Sequence, residues 1–218
     1  MPAGVRHVTG ASLGSRIVRG ALVGLYRLRG WRIAGTAPPD AKFVLVGAPH
    51  SSNWDFAIFL GVTDALGIAP NFLGKHSLFR WPLRRLMTDM GGIAVDRSKR
   101  SNYVEQVVAE FRRRESLALV IAPEGSRDSD GRWRSGFYHI AMGAGVPIVP
   151  VWIDRSKRHG RIGAPIMPTG DYRADLKRIA DFYREAEPDN PRFAMIDRDE
   201  ALPDDLSNPS HKRLGERP

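Results

Sequence analysis

A chain of 218 residues is long enough for one domain with a full hydrophobic core. Having no cysteine, it can form no disulfide, use no thiol nucleophile and build no thiolate metal site. Its 33 Lys and Arg against 24 Asp and Glu leave a formal charge of +9, which favours phosphorylated ligands, anionic lipid or nucleic acid as partners.

In chain order, the first patterned stretch is "SLGSRIVRGALVGLYRLRGWRI" at 12–33. Arg16, Arg19, Arg27, Arg29 and Arg32 interrupt it, and its longest charge-free run, Gly20 to Tyr26, is far below the roughly 20 apolar residues of a spanning helix. Leu13, Ile17, Ala21, Leu25 and Leu28 recur at helical spacing beside those arginines. That pattern suits an amphipathic helix in a membrane interface, which the basic character of the whole chain favours over the alternative, a helix packed on the domain with its arginines in water. No secretory leader is expected.

From residue 43 short apolar runs alternate with helical patterns, which predicts an α/β domain. Strands are expected at 42–47, 70–74, 92–95, 117–122, 146–152 and 161–166. Helices are expected at 53–66, from Pro82 to Met90 with Gly91 and Gly92 as terminator, at 101–115 and at 171–186. After Glu187 the sequence turns to Pro, Asp, Asn and Arg and reads as an irregular or partly disordered tail. The expected organisation is thus a basic amphipathic arm over 1–40, a single domain over 41–186 with a central mixed sheet flanked by helices, and a tail over 187–218.

Three expected strand ends carry polar loops. "APHSSNWD" follows the first and places His50 beyond an apolar run, five residues before Asp55. Ser52 to Asp55 also fits a capping box for a helix starting at Asn53, so Asp55 is explained either as a cap or as the carboxylate orienting a histidine base. "GGIAVDRSKR" brings Asp96, Arg97, Lys99 and Arg100, and "LALVIAPEGSRD" brings Glu124, Gly125, Ser126 and Arg127. Arginine grips phosphate bidentately, and a glycine in a tight turn exposes backbone N–H groups. "GASLG" at 10–14 has the spacing of a nucleophile elbow but follows no strand. His7, His76, His139, His159 and His211 lack metal-ligand spacing, and no metal is expected. No nucleotide-binding glycine loop occurs.

"HSSNWD", "GGIAVDR", "APEGSR" and "VPIVPV", in this order, resemble the four sequence blocks of the glycerolipid acyltransferase family, which includes 1-acyl-glycerol-3-phosphate acyltransferases. "KHSLFRWPL" also looks like short members of that family, and the resemblance covers roughly residues 40 to 185. Ser126 stands where threonine is commoner and keeps the hydroxyl. The resemblance implies acyl transfer from acyl-CoA or acyl-carrier-protein, as co-substrate rather than cofactor, to a lysophospholipid hydroxyl, with 1-acyl-glycerol-3-phosphate the first acceptor. It implies that His50 is the general base, oriented by Asp55, and that Arg97, Glu124, Gly125, Ser126 and Arg127 bind the acceptor. Lys75 and Arg80 are further headgroup candidates. "VPIVPV" reads as a buried strand. The setting implied is cytoplasmic, peripheral on the inner face of the cell membrane, with an anionic membrane surface as partner and no nucleic acid. Two other readings are a lyso-aminolipid or glycolipid acceptor, and a non-catalytic basic binder of membrane or nucleic acid, which would show steep salt dependence and indifference to loss of His50.

Overall fold

The computed structural model describes residues 10–49, 55–95, 100–125 and 133–198. Its centre is the apolar run Lys42–Ala48, strand β2, after a short strand β1 at Arg32–Ala34. Successive residues of β2 point to opposite faces. Val44, Val46 and Ala48 enter one buried cluster, and Phe43 and Leu45 enter the other. Burial on both faces explains why the run is continuously apolar rather than alternating. Strands β3 (Pro70–Lys75), β4 (Gly92–Val95), β5 (Leu117–Ile121), β6 (Ile148–Asp154) and β7 (His159–Ile162) complete a seven-stranded sheet. Its order is β1-β7-β6-β2-β5-β3-β4, with every neighbouring pair parallel except β6 and β7.

One face of the sheet is covered by α4 (Arg100–Arg113), α5 (Gly136–Ala144), α6 (Tyr172–Ala186) and the short α7 (Pro191–Ala194). The other is covered by α2 (Asp55–Ala65), on which α1 (Leu13–Leu28) lies. Sandwiched in this way, α2 is apolar around most of its circumference between Phe56 and Val62, with its acids at the two ends, Asp55 and Asp64. Gly61 makes the close approach possible, since a Cβ there would lie 2.1 Å from the Tyr26 ring. Arg19 and Arg27 of α1 reach Asp64 of α2 at 3.4 and 2.8 Å.

Several sequence expectations need adjusting. The last strand spans His159–Ile162 rather than 161–166, because only Ile166 bridges back, to Ile148. Pro82 precedes its helix, α3 at Arg84–Asp89, which follows a 3-10 turn at His76–Phe79. Gly91, at φ +91°, ends that helix as the sequence suggests. Within 1–40, α1 packs through Ser15, Val23 and Tyr26, while the stripe of Leu13, Ile17, Ala21 and Leu28 stays exposed. β1 adds to the sheet edge. Within 187–198, α7 buries Phe193 and the turn after it buries Ile196 in the core, and Arg184 of α6 pairs with Asp197. Residues 199–218 lie outside the described residues.

Candidate active site at the carboxyl edge of the sheet

Parallel pairing brings the ends of β5, β2 and β6 together, with Val46 opposite Ile121 and Ala48 opposite Trp152. Ligands of open α/β sheets bind at this edge. Tyr183 ties the central strands just below it. Its hydroxyl donates to the Val46 carbonyl at 2.6 Å and lies 3.5 Å from that of Val151. Complete burial pushes this phenol far above its ordinary range, with the nearby negative charge of Glu124 adding to the effect, so it stays a neutral donor.

Asp55 is the first residue of α2, at the site's mouth. Its carboxylate, with 17% of the side chain exposed, accepts a hydrogen bond from the guanidinium of Arg155, 100 residues later in the chain. Sequence reasoning passed over Arg155, which sits on the β6–β7 turn in "WIDRSKRHG". Its position directly after a parallel strand was the available signal. Asp154 shapes that turn by accepting from the Ser156 hydroxyl at 2.6 Å and the Lys157 N–H at 3.0 Å. Burial tends to raise the Asp154 carboxyl, but these bonds outweigh it and leave the group below its usual range.

The loop after β5 brings in Glu124 and Gly125. Glu124 is a buried carboxylate, only 3% exposed. Gly125 adopts φ +73°, its N–H donating to the Ala122 carbonyl at 3.1 Å. A Cβ at 125 would come within 2.8 Å of the Arg134 side chain, so both backbone conformation and space call for glycine. Arg134 is exposed and linked to the same loop through its N–H to the Pro123 carbonyl at 2.9 Å. It is a second basic residue that the motif reading did not include. Next to it, Trp133 is buried edge-on against Phe137 and Tyr183, which anchors the far end of the loop.

Asp55, at the start of the helix after β2, and Glu124 and Gly125, in the loop after β5, therefore all belong to connections that leave the carboxyl edge of the sheet from neighbouring strands. Lys75 ends the next strand, β3, exposed and opposite Val95. Arg80 lies farther out, exposed beyond the 3-10 turn. His50, Arg97, Ser126 and Arg127 fall outside the described residues. Among the described residues no group of three or more metal-ligating side chains occurs. Among them, too, no helix is long and apolar enough to cross a membrane.

An apolar cavity of about 210 Å³ runs between the sheet and α2. Asp55 and Pro49 line it at the sheet edge, and Phe56, Phe59, Val62 and Leu66 line it along the helix. A slot walled almost wholly by hydrocarbon and ending at a carboxylate suits a ligand with an apolar tail and a reactive polar end.

The family model described as "Acyltransferase" matches residues 32–154, more than half of the chain. The 1-acyl-sn-glycerol-3-phosphate acyltransferase of Escherichia coli is 29% identical over 58% of this chain and 54% of its own length. That of Haemophilus influenzae is 30% identical over 58% and 55%. The chain thus spans about half the length of these relatives. The crystal structure of the 1-acyl-sn-glycerophosphate acyltransferase of Thermotoga maritima superposes with a TM-score of 0.56 over 79% of each chain, at 20% identity, a likeness of fold. The match over the whole stretch from β1 to the end of β6, including Asp55, Glu124 and Gly125, places this chain in the acyltransferase family.

Proposed function

We propose that the protein transfers a fatty acyl group from a thioester, acyl-CoA or acyl-carrier-protein, to a hydroxyl of a lysophospholipid, with 1-acyl-glycerol-3-phosphate the first acceptor to test. The observation that carries this reading is the apolar cavity that Asp55, the H-x4-D aspartate, lines at the carboxyl edge of the sheet, the edge from which the Glu124–Gly125 loop also leaves. The names of the relatives support the acceptor.

In this reading His50 removes the acceptor's hydroxyl proton as that oxygen attacks the thioester carbonyl carbon. The carbon–sulfur bond then breaks, and the thiolate leaves with the proton returned by the imidazolium. Asp55 holds the imidazole tautomer and stabilises its charged form, as the acid does in hydrolase triads. Such base assistance contributes roughly 10²–10⁴-fold. The acyl chain lies in the cavity under α2, where each buried methylene contributes about 0.8 kcal/mol. Arg97, Ser126 and Arg127 bind the acceptor's phosphate, and Lys75 and Arg80 are further contacts for its headgroup. Glu124 orients an arginine or an acceptor hydroxyl. The enzyme works from the cytoplasmic side, peripherally on an anionic leaflet.

The test is thiol release from acyl-CoA with and without lysophosphatidic acid. Wild type should show acceptor-dependent release that His50→Ala and Asp55→Asn lose by at least about a hundredfold while remaining folded. Equal rates in wild type and His50→Ala would overturn the assignment of the base.

A further inference from the structure

The segment "KHSLFRWPLRR", residues 75–85, leaves the carboxyl end of β3, on the same edge of the sheet as the candidate site. Its conformation is set by Phe79. A Cβ at Gly74 would lie 2.8 Å from the Phe79 ring and one at Gly92 2.9 Å from it, so two glycines leave the slot into which this ring turns. Pinned by that one side chain, the segment turns its other large apolar groups outward: Trp81 is 92% exposed, Leu83 45% and Leu78 40%. Water solvates such a cluster poorly, and a contiguous exposed apolar patch marks an interaction surface.

The surrounding charge says what covers it. Lys75, Arg80, Arg84 and Arg85 lie in these eleven residues and no acid does. An amphipathic indole flanked by cations is the composition of a membrane-interface anchor. The patch is also tied to α1. Asp89 of α3 accepts from the Ser12 N–H at 2.9 Å, and Arg85 donates to the Gly10 carbonyl at 2.6 Å. These bonds hold the start of α1 against α3, and α1 presents its own exposed apolar pair there, Leu13 and Ile17.

We propose that Leu78, Trp81 and Leu83 form a membrane-insertion knuckle that seats the carboxyl edge of the sheet on an anionic bilayer, with α1 alongside. The proposal deepens, and rests on, the reading of the site as one that takes its acceptor from a membrane surface. The knuckle would anchor the protein next to the mouth at which a lysolipid enters.

Flotation of the full chain with phosphatidylcholine–phosphatidylglycerol vesicles, free of lysolipid and thioester, tests the knuckle without catalysis. Trp81→Ser should partition roughly tenfold more weakly than wild type, the factor associated with burying one large apolar side chain. Trp81→Phe should keep most of the binding, and Leu78→Ser should weaken it independently. Unchanged melting temperatures would exclude a folding defect in the 92%-exposed position. Vesicles of phosphatidylcholine alone should bind wild type less. Equal flotation of Trp81→Ser and wild type would overturn the proposal. So would a wild-type dimer that Trp81→Ser converts to monomer with vesicle binding intact, since a second copy would then cover the patch. Thiol release in detergent micelles separates the two readings. If wild type is inactive there while Trp81→Ser still loses flotation, the knuckle stands and the acyltransfer reading falls.

Discussion

At the scale of single residues, the contact between Arg155 and Asp55 carries the most consequence for chemistry. A guanidinium on the carboxylate orients it and favours the charge-poor, neutral state of any imidazole that carboxylate holds. Under the proposed function, removing it should misplace His50 and raise its basicity at once. Arg155→Ala is expected to lower kcat by about tenfold to a hundredfold, the range associated with small misplacements. It should also move the acid limb of the kcat/KM profile to higher pH. Arg155→Lys should restore part of the rate and reverse part of the shift, and a pH–rate series on the three proteins checks this. An unmoved limb would leave Arg155 a surface ion pair. Asp55 itself was legible as one of two things, a helix cap or a partner for His50. Its guanidinium partner was not legible, because nothing in "HSSNWD" points to a turn 100 residues away.

At the scale of elements, Asp89 joins α3 to α1. Burial would raise its carboxyl, but hydrogen bonds from the Ser12 N–H, from the Ser15 and Ser12 hydroxyls and from Arg85 outweigh it and hold the group down to about 2. An aspartate in an unfolded chain titrates near ~3.9. The stabilisation is therefore complete above about pH 4 and disappears as pH falls toward 2. Asp89→Asn should cost about 1.5–3 kcal/mol at neutral pH, the range for hydrogen bonds to a charged group. The stability difference from wild type, followed by urea unfolding across pH, should close over that acidic window. The elements themselves were largely readable, since β2, β3, β4, β5 and β6 all stand within two residues of their expected ends. β1 and α7 were not. Three residues of strand and one turn of helix carry too little periodicity to register; β1 exists because it pairs with β7, and α7 because it packs on α6 and buries Phe193.

For the whole molecule, the cavity under α2 is the feature that links the fold to the proposed acyl donor. It needs four strands, β2, β3, β5 and β6, and a helix from separate parts of the chain, so no local pattern announces it. Filling it tests its purpose. Val62→Phe extends a buried side chain into about 210 Å³ of open volume, so the usual overpacking penalty of about 1–3 kcal/mol should be largely avoided. The melting temperature should stay close to wild type while the preferred acyl donor becomes shorter, measured as thiol release across a chain-length series. The same longest donor in both proteins would place the acyl chain elsewhere.

The sequence by itself determined the α/β alternation, the family blocks and their order, and the basic character that favours anionic partners. These are local or additive properties: hydrophobic period, residue type at fixed spacing, summed charge. Only the tertiary structure decided which stripe of α1 is buried, that Arg155 meets Asp55, that Phe79 turns inward while Trp81 turns out, and that a cavity opens at the H-x4-D aspartate. Each of these depends on two surfaces approaching from distant parts of the chain, and a side chain's neighbours across a packed interface leave no mark on its own stretch of sequence.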